Sequence, residues 1–157
     1  MACTSEIQWV RQEHRRGCVI ASLAMVTGLT YKYVHDYLST RVGKFVDSKW
    51  KIGLNAEVDG VGFMFDGWNF LREHGYAIQH RWRSPYTVAY DCPVHEPWPC
   101  EPWADVHIVV VQTSQSHAMV MLRDGTILDP MTPEPRRLSN YGKVESITAI
   151  YKVANHV

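Results

Sequence analysis

The chain has 157 residues, of which 46% are hydrophobic and 20% are charged, a size and composition that suit a single domain, residues 1–157. Its sixteen basic and sixteen acidic residues balance to a formal net charge of zero, which gives no reason to expect nucleic acid or anionic lipid as a partner. The sequence has neither an apolar run of bilayer-spanning length nor a signal-like N-terminus, so we expect a soluble, cytoplasmic protein with no membrane partner.

The first predicted element is a helix from about Cys18 to Thr27. Apolar residues fill this segment almost continuously between Gly17 and Gly28, which is typical of a helix buried on most of its faces. Thr30 then suits the N-cap of a second helix, in which apolar and aromatic residues recur at three- and four-residue spacing: Tyr31, Val34, Tyr37 and Leu38.

Residues 41–64 lose this periodicity and contain four glycines, so we predict mostly loop here, with the character of a flap. Asp66 is a candidate cap for a third helix, which Gly75 would end in a left-handed conformation. Alternation of side chains from Tyr76 to Trp82 then predicts a strand.

The segment 85–102 carries five prolines, and long connections of this kind are often lids or binding loops. Trp98 and Trp103 are therefore weak candidates for lining a substrate groove, although covering one end of the core explains them equally well.

The cysteines are sparse and irregularly spaced, which favours free thiols over a disulfide scaffold: Cys3, Cys18, Cys92 and Cys100. A Cys92–Cys100 disulfide stays an alternative for an exported protein. Cys92, His95 and Cys100 carry metal-compatible side chains, yet their spacing fits no compact zinc knuckle, so we predict no metal site.

Four further strands joined by short turns are predicted as an antiparallel meander: Val106–Gln112, Ser116–Arg123, Thr126–Asp129 and Glu145–Val153. Helices therefore come first and strands second. This order indicates an α+β domain in which an N-terminal helical half, with its buried central helix, packs on a C-terminal antiparallel sheet, and any cleft lies between the two.

Cys18 has the surroundings expected of a nucleophile. It begins a helix, where the helix dipole favours a thiolate, and Arg15 and Arg16 add positive charge nearby. Gln12, six positions earlier, can return its amide to the Cys18 N–H and form an oxyanion hole. His117 and Asp129 follow downstream in the order of base and orienting carboxylate.

The turn after Arg123 decides whether Asp129 can reach His117, because a one-residue slip reverses the face of every side chain on a strand. A two-residue loop turns Asp129 away from His117. A three-residue loop with a left-handed Gly125 pairs residue 122 with residue 126, and it puts Asp129 and His117 on the same face of the sheet. We predict the second arrangement, with this face toward the Cys18 helix; otherwise Asn140 or Glu145 is the next candidate. His107 is the main rival of His117.

These residues resemble papain-like cysteine peptidases, and most closely the double-glycine peptidases that process bacteriocin leaders. The resemblance lies in Gln12, in Gly17-Cys18 opening an apolar helix, in the segment 116–120, and in Asp129-Pro130. It implies a papain-like fold, with Cys18 as nucleophile, Gln12 as oxyanion donor, His117 as general base and acid, and Asp129 as its partner. The family usually has an acidic residue before the cysteine and a glycine after it, where this chain has Gly17 and Val19.

The expected function is cleavage of a peptide or isopeptide bond in a peptide or protein substrate through a thioester, without metal or organic cofactor. Two alternatives stay open. One is a catalytically silent binding protein that keeps the fold, and the other is an acyltransferase or isopeptidase that acts on a modifier protein. The sequence does not indicate an oligomeric state.

Overall fold

A computed structural model describes residues 7–55, 59–82, 104–141 and 143–153. Within these ranges the chain is α+β, as predicted, with three α-helices, a two-stranded hairpin and a five-stranded antiparallel sheet. The helices are α1 (Cys18–Thr27), α2 (Tyr31–Ser39) and α3 (Trp68–Glu73), and the strands are β1 (Gly43–Val46), β2 (Lys49–Ile52), β3 (Tyr76–Trp82), β4 (Val106–Gln112), β5 (Ser116–Met121), β6 (Ile127–Leu128) and β7 (Lys143–Lys152).

Helix α1 has the predicted limits and the predicted burial. Every residue from Val19 to Val26 is buried, since the segment has no polar side chain larger than Ser22. Gly28 ends the helix in the left-handed conformation, with φ of +73°. One side of α1 packs against Ala118 and Val120 of the sheet, so the helix joins the two halves of the domain.

The prediction for α2 is also confirmed, because the Thr30 hydroxyl accepts a hydrogen bond from the Tyr33 N–H at 3.0 Å. The cap predicted for α3 is wrong. Asp66 lies inside a π-helical turn, Phe63–Gly67, that leads directly into α3 without a side-chain cap. Gly75 follows α3 with φ of +86°, as predicted.

The loop predicted over residues 41–64 contains a β-hairpin instead. Strands β1 and β2 pair in register, with Phe45 opposite Trp50, around a turn in which Asp47 and Ser48 both have positive φ. Turns of this kind usually contain glycine or asparagine, so Asp47-Ser48 gives little signal in the sequence.

The main sheet has the strand order β3-β7-β4-β5-β6. The predicted meander holds for β4, β5 and β6, but β7 is not beside β6; it inserts between β3 and β4. Its central place in the sheet agrees with its burial, because the residues from Ser146 to Ile150 are buried on both faces of the strand.

The sheet carries a separate hydrophobic cluster on each face. Ala118 and Val120 belong to the cluster that contains α1, whereas Met119, Met121 and Ile127 belong to the other cluster. The expectation that the face of His117, Met119 and Asp129 turns toward the Cys18 helix is therefore wrong for its apolar residues, although His117, near the start of β5, contacts Cys18. A strand buried on both faces gives no local pattern that tells which face meets a helix.

Several sequence predictions concern residues outside the described ranges: Cys3, Cys92, His95, Trp98, Cys100 and Trp103. Within those ranges, no helix is both long and apolar enough to cross a membrane.

Candidate active site

A cleft of about 1210 Å³ separates the helical half from the sheet. Cys18, at the first turn of α1, and His117, near the start of β5, both line it, and so does Asp129, just after β6. The structure therefore places these three predicted residues, from three separate elements, around one cavity.

The Cys18 thiol is free, half-buried and hydrogen-bonded to the His117 side chain. Burial by itself would raise the pKa of this thiol. The hydrogen bond and charge of His117, together with backbone hydrogen bonds from Ala118 and Val19, outweigh burial and lower the pKa of Cys18 below its usual value. The imidazole, more than Arg15 or Arg16, is thus the main source of thiolate stabilisation, and both arginines are exposed.

His117 bridges the thiol and the carboxylate. Its Nε2 lies 2.8 Å from Oδ1 of Asp129, which leaves Nδ1 for the sulfur of Cys18. Burial lowers the pKa of His117, but the hydrogen bonds and charges of Asp129 and Cys18 raise it to about 9. Thiolate and imidazolium therefore stabilise each other, and the two groups titrate as a pair.

Three donors hold the Asp129 carboxylate in place. Besides His117, the Tyr141 hydroxyl donates to Oδ2 at 2.6 Å and the Met131 N–H donates to Oδ1 at 2.9 Å. Burial raises the pKa of Asp129, yet these hydrogen bonds hold it below its ordinary value, so the group stays ionised opposite the imidazolium.

The strand register that permits this contact is the predicted one. Val120 pairs with Leu128, and the Leu122 N–H donates to the Thr126 carbonyl at 2.8 Å, so residues 123–125 form a three-residue loop. Gly125 is left-handed, with φ of +90°. This register gives Asp129 the same side of the sheet as His117.

Gln12 lines the cleft, but its amide faces its own loop. The Nε2 group donates to the carbonyls of His14 at 3.1 Å and Arg15 at 3.0 Å. Its Oε1 is buried and lacks a hydrogen-bond partner in the part of the chain that the structure describes. Donation to an oxyanion would require Nε2 to release one of the two carbonyls, so the role of Gln12 stays a prediction.

Two hydrogen bonds tie the Gln12 segment to the Asp129 segment. The Trp9 indole N–H donates to the Asp129 carbonyl at 2.7 Å, and the Gln12 backbone N–H donates to the Pro130 carbonyl at 3.1 Å. The segment that carries Gln12 is therefore held against the segment that carries Asp129, although 120 residues separate Trp9 from Asp129 in the sequence.

Gly17, directly before Cys18, leaves room for a side chain from α2. A Cβ atom at this position would lie 2.0 Å from the Tyr31 hydroxyl. That hydroxyl is 2.9 Å from Nδ1 of His14, whose carbonyl in turn accepts the Gly17 N–H at 3.0 Å. A side chain at position 17 would therefore force Tyr31 to move.

The two walls of the cleft differ in their source. The helical side contributes Gly60, Val61 and Phe65, whereas the sheet side contributes the turn 112–116 and Met131. Phe65 and Met131 are 74% and 63% exposed, so an apolar side chain stands on each side of the opening.

The rival residues lie elsewhere or have other partners. His107 is fully buried in the sheet and does not line the cleft. Asn140 accepts the Arg137 N–H at 2.9 Å and is exposed, and Glu145 accepts the Ser116 hydroxyl at 2.8 Å. Among the described residues, no group of three His, Cys, Asp or Glu side chains is arranged to hold a metal ion.

Sequence reasoning missed Tyr141, Trp9 and Tyr31. Each reaches the site from a segment distant in sequence, and an isolated aromatic residue gives no motif that indicates such a contact. Only Gly17 offered a signal, because a glycine directly before a buried helix can mark a close approach of another group.

Comparison with protein-family models and with curated proteins finds no match for this chain.

Proposed function

We propose that the chain is a papain-like cysteine hydrolase that cleaves a peptide or isopeptide bond. The observation that carries this proposal is the continuous hydrogen-bonded series from Cys18 through His117 to Asp129 at the surface of a large cleft. Nucleophile, base and orienting carboxylate in this arrangement suit acyl transfer.

The reaction would proceed in two halves. The Cys18 thiolate attacks the carbonyl carbon of the amide, and the Cys18 N–H at the start of α1 stabilises the oxyanion. The carbon–nitrogen bond then breaks as protonated His117 gives its proton to the leaving amine, which leaves a thioester on Cys18. His117 next takes a proton from water, and the resulting hydroxide attack releases the carboxylate product and restores the thiolate.

The papain-like assignment is supported by topology and by roles. The nucleophile begins a buried helix of the N-terminal half, while the base and the carboxylate lie on the sheet of the C-terminal half. A double-glycine leader is one substrate option, beside other peptides, isopeptides on a modifier protein and small amides. The chemistry needs no metal or organic cofactor.

A silent binding protein of the same fold is the second candidate, and the Gln12 amide favours it. Both hydrogens of Nε2 have loop carbonyls as acceptors, so one oxyanion donor of the proposed pair is engaged elsewhere. Catalytic hydrogen bonds often form only when the substrate is bound, which is why the hydrolase stays the first candidate.

A peptide library tests the proposal. Purified protein is incubated with the library, and both cleavage products and acyl groups on Cys18 are identified by mass spectrometry. We expect products from the wild type and none above background from Cys18→Ala or His117→Ala. Gln12→Ala is expected to lower kcat by about 100-fold if Gln12 is an oxyanion donor. Binding of peptides without cleavage or acylation would favour the silent protein.

A further inference from the structure

Tyr141 lies one hydrogen bond beyond the proposed triad. Its hydroxyl donates to Oδ2 of Asp129 at 2.6 Å, on the oxygen that His117 does not contact. We propose that Tyr141 is a positioning residue, which fixes the Asp129 carboxylate so that Oδ1 faces His117. This inference rests on the proposed function, because it concerns the same site.

The geometry restricts rotation of the carboxylate. Oδ1 accepts from His117 and from the Met131 N–H, while Oδ2 accepts from Tyr141, so rotating the group would break hydrogen bonds at both oxygens. The Asp129 side chain is only 8% exposed, so water has little access to replace a lost donor. The Tyr141 hydroxyl therefore orients the Asp129 carboxylate, and a water molecule could not easily take its place if it were removed.

The electrostatics agree with this role. Burial and the neighbouring carboxylate raise the pKa of Tyr141, so the phenol keeps its proton and remains a donor. Burial raises the pKa of Asp129, whereas its hydrogen bonds from His117 and Tyr141 lower it. Removal of the hydroxyl therefore raises the pKa of Asp129. As the pH falls, Asp129 then loses its negative charge, which stabilises the imidazolium of His117, at a higher pH than in the wild type.

Packing of the ring is the alternative role for Tyr141. The side chain is half-buried and lies against the hydrophobic cluster of Met119 and Ile127. Tyr141→Phe separates the two roles, because it keeps the ring and removes only the hydroxyl.

The experiment measures the second-order rate of Cys18 alkylation by iodoacetamide from pH 4 to pH 10, with modification at Cys18 read by mass spectrometry. This readout needs no substrate. For Tyr141→Phe we expect the acid limb of the profile to move to higher pH by about one unit, so that the rate at a fixed pH on that limb falls about tenfold, the size of effect expected for losing a hydrogen bond to a charged group. Tyr33→Phe is the matched control, because it also loses one hydroxyl contact, the 3.1 Å contact with His74, outside the cleft.

A double-mutant cycle completes the test. Because Tyr141 acts through Asp129, Tyr141→Phe should have no further effect in an Asp129→Ala background. A Tyr141→Phe profile identical to that of the wild type, or effects that simply add in the double variant, would overturn the inference while leaving the proposed function intact. An ordinary thiol profile in the wild type itself would instead count against the proposed function.

Discussion

Gly17 has no space for a side chain, because the Tyr31 hydroxyl fills the position that a Cβ atom would take. The consequence reaches the nucleophile, since Gly17 precedes Cys18 and its carbonyl accepts the Ala21 N–H in the first turn of α1. A shift of Gly17 would therefore move the thiol relative to His117.

Gly17→Ala is predicted to destabilise the protein by about 1–3 kcal/mol, the usual cost of overpacking, and to slow Cys18 alkylation. Thermal unfolding and the alkylation rate measure the two effects. Adding Tyr31→Phe removes the clashing oxygen, so the double variant should recover part of the lost stability. A Gly17→Ala protein as stable as the wild type would show that the close contact is not constraining.

At the residue scale, sequence order and local chemistry led to Cys18, His117 and Asp129, because a thiol at a helix start and a histidine on a strand are local features. The structure brings these three together. The contacts that position these three residues could not be predicted from the sequence. Tyr141 follows Asp129 by 12 residues across an irregular segment, and its approach depends on how that segment folds back.

At the scale of elements, the turn between β5 and β6 sets the side of the sheet on which Asp129 lies. Gly125 permits that turn with φ of +90°, and the Asp124 side chain accepts the Thr126 N–H at 2.9 Å. Loss of this turn geometry would change the register and separate Asp129 from His117.

Gly125→Ala is therefore expected to cost about 1–2 kcal/mol of stability through backbone strain and also to lower the alkylation rate near neutral pH. Gly28→Ala is the matched control. Gly28 also has positive φ, +73°, and no atom lies within 4 Å of the position that a Cβ would take there, but it stands at the opposite end of α1 from Cys18. Equal losses of stability with a slower alkylation only in Gly125→Ala would support the register argument, whereas slower alkylation in both would contradict it.

Helices whose ends carry common capping residues were predictable from the sequence, whereas a turn and a helical segment without such residues were not. The limits of α1 and the cap of α2 follow from Gly17, Gly28 and Thr30. The β1–β2 hairpin was missed because Asp47 and Ser48 adopt positive φ without a glycine. The π-helical turn before α3 likewise follows no pattern of apolar spacing.

At the scale of the whole molecule, the cleft exists because the helical half and the sheet contribute opposite walls. Phe65 comes from one half and Met131 from the other, and both remain largely exposed at the cleft. Exposed apolar side chains on both sides of a site suit contact with apolar residues of a bound peptide.

For a peptide identified in the library, Phe65→Ala should raise KM about tenfold, because it removes apolar contact area with the substrate. Alkylation of Cys18 should be unchanged, since Phe65 is not part of the hydrogen-bonded series. Trp50→Ala is the control, as Trp50 is 64% exposed but lies on the hairpin and not in the cleft. Equal effects of both substitutions on KM would contradict a specific role for Phe65.

The α+β class was predictable from the order of helices and strands, but the arrangement of the sheet was not. Strand β7 inserts between β3 and β4, a long-range pairing that alternation along one strand does not encode. The apolar face of β5 that meets α1 was assigned wrongly for a related reason, since β5 is buried on both faces from Ala118 to Met121.

The central claim is that His117 holds Cys18 as a thiolate, and the pH dependence of iodoacetamide alkylation tests it most directly. In the wild type the lowered pKa of Cys18 should keep alkylation fast well below the range of ordinary thiols. In His117→Ala, Cys18 stays buried but loses the hydrogen bond and charge that lower its pKa, so the alkylation profile should move to higher pH. His74 lies outside the cleft, so His74→Ala should leave the profile unchanged. A wild-type Cys18 that alkylates like an ordinary thiol, with the same profile in His117→Ala, would contradict the account.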